Sequence, residues 1–380
     1  MGVSWVDGRL LAPGEAAVRA DDHAVVVGDG VFETTKVING VPFALGRHLR
    51  RLGRSARGLG LNEASEGRIR SAVDEVLAAD PEAGLLRITW SSGAGPLGSG
   101  RGDGPGTLIV ATSEGNTWPD AERVHLVPWA RNEHGALTGL KTTSYAENAL
   151  ALATARRAGC TEALFCNTAG MLCEGTGTNV FLVIGGRMVT PPLSSGCLSG
   201  ITRELIIELA EQRDSGGPDG DVEVRDIDPK ELLTADEAFL TSATRNVSAI
   251  SEITGKFETT FETPPGPVTA RIAAAFDELE ARIGKKEAQI GVMGREREFS
   301  WLWELAVNPR ILDAVQDAYG ANLLLIGTHV FCKYPVEDMG AESFVAWHQD
   351  VTYWGLEPPK AITAWPVSYT HLTLPTSDLV

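Results

Sequence analysis

Three two-residue turns set the strongest limit on how this chain can fold. Asp7-Gly8, Asn39-Gly40 and Gly185-Gly186 each interrupt short runs rich in aliphatic and β-branched residues. Hairpin turns of this length need positive φ, which Gly, Asn and Asp tolerate better than other residues. Residues 3–11 therefore read as a strand, a turn and a strand. Further strands are expected at 24–27, 31–38, 85–90, 107–112, 124–128, 162–167, 171–173, 180–184, 237–241 and 247–253. Helices are expected in four places. Leu49, Leu52 and Ala56 follow His48 along one face; 145–158 is rich in Ala and Leu; 201–212 starts after Gly200; and 268–283 closes at Gly284. This mixture predicts an α/β chain.

Two Gly-rich stretches and one change of character suggest its organisation. Gly93-Ala94-Gly95-Pro96-Leu97-Gly98 formally matches GxGxxG. A dinucleotide fingerprint must open a helix against a pyrophosphate, and Pro96 with the glycines running to Gly106 forbids one. That reading is rejected, and Arg101-Gly102-Asp103 is read as loop. The polar stretch 131–139 is the expected linker, which gives a small N-terminal α/β domain at 1–130 and a larger domain at 131–284. Beyond Gly284 lie five of the nine tryptophans (Trp301, Trp303, Trp347, Trp354 and Trp365), so 285–380 is read as a separate segment.

Composition excludes some partners. With 50 acidic against 33 basic residues the formal charge is −17, and such a surface repels nucleic acid. No apolar run is long enough for a membrane span, and residues 1–7 carry neither a basic flank nor a long apolar core. Five cysteines without CxxC spacing fit reduced thiols in the cytoplasm rather than a disulfide framework or zinc site.

The chemistry centres on Lys141, within Gly139-Leu140-Lys141-Thr142-Thr143-Ser144-Tyr145-Ala146-Glu147-Asn148. A lysine desolvated in a pocket becomes neutral, nucleophilic and able to form a Schiff base. Downstream stand Met171-Leu172-Cys173-Glu174-Gly175-Thr176-Gly177-Thr178-Asn179-Val180-Phe181 and Cys197-Leu198-Ser199-Gly200-Ile201-Thr202-Arg203; upstream stands Gly28-Asp29-Gly30-Val31-Phe32-Glu33. In this order the four motifs resemble the class IV family of pyridoxal-phosphate enzymes, which includes branched-chain and D-amino-acid aminotransferases and aminodeoxychorismate lyase. The resemblance covers residues 1–283.

The resemblance implies a two-domain fold of type IV, pyridoxal 5'-phosphate as cofactor and a homodimer. It assigns the Schiff base to Lys141 and the partner of the pyridine nitrogen to Glu174, the two catalytic residues. Arg51, three residues after His48, falls where the family holds the cofactor phosphate; the blander reading is a basic exposed helix face with Arg47, Arg50, Arg54 and Arg57. For Glu174 the blander reading is an exposed charge in a turn. Ile201 and Thr202 begin a helix whose free N–H groups favour a phosphate, and the Thr202 hydroxyl adds a donor. Thr241-Ser242-Ala243-Thr244 lies where the family adds another phosphate contact; Ala243 stands near the expected hydroxyl, so Ser242 or Thr244 takes its place. Two activities stay open: amino transfer between an amino acid and a 2-oxo acid, or release of pyruvate and 4-aminobenzoate from aminodeoxychorismate. Phe32-Glu33 favours the first, the Gly-rich loop the second.

Trp347-His348-Gln349-Asp350, followed by Thr352-Tyr353-Trp354, resembles the phytanoyl-CoA dioxygenase family over about 298–367. His348 and Asp350 would be two ligands of an iron triad. His371 is the only later histidine, in a context unlike that family, so no working metal site is expected. The segment reads as an incomplete, mainly β fragment, with a non-native tail from about 368.

Overall fold

Two sheets carry the architecture of the computed structural model, which describes residues 2–283 apart from 13, 63, 212–221, 256–260 and 263–265. The expectations for 285–380, including His348, Asp350 and the tail from 368, lie outside the described residues.

The first sheet begins with the hairpin β1 (Ser4–Val6) and β2 (Arg9–Leu11). Where a strand is expected at 24–27, the structure has a single helical turn, α1 (His23–Val26). The Asp22 carboxylate caps it by accepting from the Ala24 N–H at 2.9 Å, a local bond that competes with strand pairing. Then follow β3 (Gly30–Ile38), β4 (Val41–Pro42), α2 (Leu45–Gly58), α3 (Glu66–Ala79), β5 (Leu85–Ser91) and β6 (Leu108–Ser113). The strand order is β2-β1-β6-β5-β3-β4, antiparallel throughout. Asn39 (φ 51°) and Gly40 (φ 75°) form the turn between β3 and β4. No expected helix corresponds to α3, although Ile69, Ala72, Val73 and Val76 recur at helical spacing. They pack with Leu49, Leu52 and Ala56 of α2 against Leu86, Ile88 and Val110 of the sheet.

The second sheet contains β7 (Ala121–Arg131), β8 (Glu162–Asn167), β9 (Leu172–Gly175), β10 (Asn179–Ile184), β11 (Arg187–Thr190), β12 (Glu223–Val224), β13 (Glu237–Ser242), β14 (Asn246–Gly255) and β15 (Phe261–Glu262). Its order is β12-β11-β10-β13-β14-β7-β8-β9, with β15 on β14. β7 runs parallel to both neighbours, β14 and β8. The chain thus changes sheet between Ser113 and Ala121, ahead of the 131–139 stretch expected to link two domains. Pairing on both edges extends β7 past the strand expected at 124–128.

Alternation explains why these strands read as continuous apolar runs: both faces are covered. Val180 and Leu182 enter one core with Leu126, Leu164, Leu240 and Ile250. Phe181 and Val183 face the other way, onto α5 (Ile201–Glu211) and α6 (Pro267–Ile283). There Phe181 stacks on Phe239 at 4.9 Å. Ala163 and Phe165 pack on Ala151 and Ala155 of α4 (Ala146–Arg157). The 93–98 segment opens no helix; Arg101 instead pins the loop, donating to Asp29 and to the carbonyls of Leu59 and Gly60.

Candidate active site

The Lys141 backbone is stitched to the first sheet just before α4 begins. Its carbonyl accepts from Phe32 N–H at 3.0 Å, Thr143 N–H donates to Gly30 O at 2.7 Å, and Thr142 bridges Val31. The Lys141 N–H donates to Ser55 Oγ of α2 at 3.1 Å. Gly28 (φ 71°) permits this approach, since a Cβ there would stand 2.8 Å from Ser144 Oγ. The side chain enters a cavity of about 600 Å³ lined by Phe32, Arg51, Arg87, Arg131, Tyr145, Glu174, Thr202 and 241–244, among others. Lys141 Nζ lies 4.5 Å from the Phe32 ring centre and 5.7 Å from that of Tyr145, and the two rings meet edge to face. Burial, helped by the positive charges of Arg51 and Arg87 against Glu33 and Glu174, pushes its amine down to about 8.

Glu174 closes β9 with its side chain 13% exposed, which removes the reading as a free surface charge. Oε2 accepts from Leu198 N–H at 2.9 Å, and Oε1 lies 3.5 Å from Arg131 Nε. Burial holds its carboxyl above the ordinary range, opposed by Arg131, the Leu198 N–H and Lys141. Such a carboxyl suits a partner nitrogen that shares a proton.

Arg51 is buried and Arg47 is half-buried against Glu208, whereas Arg50, Arg54 and Arg57 are exposed, so the exposed basic face holds for those three and not for Arg51. The start of α5 faces the same cavity through Ile201 and Thr202. Gly200 precedes it because a Cβ would meet Asn179 Oδ1 at 1.9 Å. The buried hydroxyls of Thr202 and Thr241 have no hydrogen-bond partner among the described residues. Ser242 Oγ accepts from Arg245 N–H at 3.1 Å, and the Thr244 carbonyl accepts from Trp118 Nε1 at 2.8 Å. All seven sequence-derived candidates, Arg51, Lys141, Glu174, Ile201, Thr202, Ser242 and Thr244, line this one cavity. Unpaired hydroxyls, an open helix start and a buried arginine fit a phosphate, and an amine with a carboxyl in the same cavity fits pyridoxal phosphate.

The sequence alone missed several residues lining the cavity. Arg87 sits 3.7 Å over the Phe32 ring, and Arg131 lies 4.3 Å over Phe165. Burial and the nearby carboxylates Glu174 and Glu162 push the Tyr145 phenol up to about 12. Thr241, beside the two hydroxyls expected, also carries no local signal. No group of three or more His, Cys, Asp or Glu side chains among the described residues could hold a metal.

Residues 30–253 match the family described as amino-transferase class IV. A putative branched-chain-amino-acid aminotransferase of Methanocaldococcus jannaschii is 28% identical over 288 residues, covering 74% of this chain and 98% of the relative. A bifunctional aminodeoxychorismate lyase / D-amino acid transaminase of Mycobacterium tuberculosis is 30% identical over 240 residues, covering 56% and 78%. Among solved structures, the branched-chain aminotransferase of Thermoproteus uzoniensis superposes with a TM-score of 0.66 at 30% identity, over 76% of this chain and 96% of that one. A hypothetical aminotransferase of Mycobacterium tuberculosis in its PLP-bound form gives 0.63 at 26% identity, over 74% and 99%.

Proposed function

This chain belongs to the class IV aminotransferase family, and from that premise we propose how its own residues carry out amino transfer between an amino acid and a 2-oxo acid. The enzyme uses pyridoxal phosphate. One observation carries the reading: a single cavity is lined by an amine of pKa about 8, a buried carboxyl and an anion-ready helix start.

When bound, the cofactor supplies an aldehyde for a lysine amine and a ring that draws electrons from the substrate α-carbon. Arg51, the N–H groups at Ile201 and Thr202, and the hydroxyls of Thr202, Ser242 and Thr244 would hold its phosphate, with Thr241 as an added donor. Glu174 would face the ring nitrogen and hold a proton there. Lys141, neutral in a large fraction of molecules near pH 8, would move a proton at Nζ between the substrate α-carbon and the carbon that carried the cofactor's aldehyde. Phe32 and Tyr145 shield that amine from water. Arg87, which lines the cavity and has no ion-pair partner among the described residues, would meet the substrate carboxylate.

Release of 4-aminobenzoate from aminodeoxychorismate is the second reading, favoured by the similarity to the bifunctional relative. Parallel assays for keto-acid exchange and 4-aminobenzoate release decide between them. Exchange without aromatic product supports the first reading, and the reverse result overturns it.

We also infer a cytoplasmic homodimer with small-molecule substrates and without nucleic-acid or membrane partners. Its support is the exposed apolar pair Trp129 and Leu150, which line one surface hollow with Ala146 of α4, and the buried thiols of Cys160, Cys166, Cys173 and Cys197. No helix among the described residues is long and apolar enough to cross a membrane. Sedimentation at two concentrations tests the dimer. For 298–367 the oxygenase-like reading rests on its sequence alone.

A further inference from the structure

Beneath the cavity, three donors converge on one carboxylate. Glu33, 1% exposed in β3, accepts from Arg51 Nε at 2.7 Å through Oε1 and from Arg51 Nη2 at 2.6 Å through Oε2. His48 Nδ1, also fully buried, stands 2.7 Å from the same Oε2. Arg51 Nη1 donates to the Ser199 carbonyl at 2.8 Å, in the segment leading into α5. Three of the five guanidinium N–H groups are thereby committed and two are left over.

We propose that Glu33 is the positioning residue of this site, fixing the plane of the Arg51 guanidinium so that its two uncommitted N–H groups meet the cofactor phosphate. The proposal rests on the reading that Arg51 meets that phosphate. An arginine side chain has four torsions, and a two-point fork on a buried carboxylate removes most of that freedom before any ligand arrives. His48 completes the grip from one turn earlier in α2. Burial lowers the imidazole's proton affinity against the pull of Glu33, and in either protonation state an Nδ1–H facing Oε2 donates to it. Burial alone would raise the Glu33 carboxyl, yet the charge and hydrogen bonds of Arg51, with His48, bring it down to about 2, so the fork stays ionised.

Charge alone argues the opposite way. A carboxylate near a phosphate repels it, so removing the charge would tighten phosphate binding if Glu33 did nothing to geometry. Glu33→Gln keeps the shape but turns an amide NH2 toward the donors of Arg51 or His48, which breaks the fork.

The test measures binding of pyridoxal 5'-phosphate and of unphosphorylated pyridoxal to the full chain without cofactor, read by the absorbance of the lysine adduct. A purely structural defect weakens both ligands alike; a positioning defect erodes the preference for the phosphorylated one. Glu33→Gln is expected to lose about tenfold of that preference, the scale of one charge-assisted hydrogen bond, with pyridoxal affinity held within about twofold. Glu33→Asp, which keeps the charge but is too short for the full fork, is expected to lose part of the preference and serves if the glutamine variant fails to fold. An unchanged or increased preference in whichever variant folds overturns the proposal. Arg51→Ala separates the two layers. If it loses the preference while the Glu33 variants keep it, the role of Glu33 is wrong and that of Arg51 stands. If Arg51→Ala keeps the preference, the Arg51 reading falls and the proposal with it.

Discussion

Arg245 and Glu162 form a buried ion pair, with Nη1 3.3 Å from Oε2 and both side chains at most 4% exposed. Glu122 reaches the same guanidinium, its Oε1 3.2 Å from Nε. Trp118 lies 4.1 Å over the guanidinium and donates to the Thr244 carbonyl. On the other side, Glu162 Oε1 accepts from the Thr176 N–H and hydroxyl, two residues past Glu174. One cation thus joins the 241–245 turn to the 174–178 turn, two walls of the cavity.

Arg245→Met is expected to destabilise the protein by about 3–5 kcal/mol, because two buried carboxylates lose their counter-charge. A lowered urea midpoint with unchanged slope reports it. A loss under about 1 kcal/mol would mean that the pair is not buried in solution.

The position of the Lys141 amine predicts a pH dependence. A folded pKa near 8, below the ordinary 10.5, leaves the neutral nucleophile mostly absent at pH 7 and mostly present at pH 9. The rate of pyridoxal phosphate addition should rise about tenfold between those values, with its midpoint near 8. Arg87→Gln removes a positive charge that depresses this pKa, so its midpoint should move up. Borohydride should fix the adduct on the Lys141 peptide; recovery on another lysine would sink the assignment.

Glu174→Gln is expected to keep the cofactor, because the lysine and phosphate contacts remain, while turnover falls on the order of 10²-fold or more. Arg51→Ala should do the reverse and shed cofactor on dialysis. Wild-type turnover in the glutamine variant would remove Glu174 from the ring nitrogen.

A chain ended at Gly284 is expected to retain cofactor and amino-transfer activity, since every assigned residue precedes that point. The full chain should yield no succinate from 2-oxoglutarate with added iron, because two ligands, His348 and Asp350, hold iron poorly. Iron-dependent succinate that disappears in His348→Ala would reverse this.

The sequence by itself determined the local features of this protein. Asn39-Gly40 and Gly185-Gly186 adopt positive φ because few other pairs can, and the residues around them form hairpins. Lys141, Glu174 and Arg51 could be singled out because each sits in a stretch that resembles a motif of the class IV family. The Asp22 cap that turns 23–26 into a helix is equally local, and so is the apolar spacing of α3.

Tertiary structure alone decided what these residues face. Lys141 bonds Ser55, 86 positions away, and Arg51 grips Glu33 from a different element. β7 lies between β14 and β8, partners more than thirty residues distant along the chain. Such pairings depend on burying both faces of a sheet at once, a property of the assembled core that no single stretch carries. The same holds for electrostatics. A lysine in sequence is a cation near 10.5, and only packing against Phe32 beside Arg51 and Arg87 brings it to about 8.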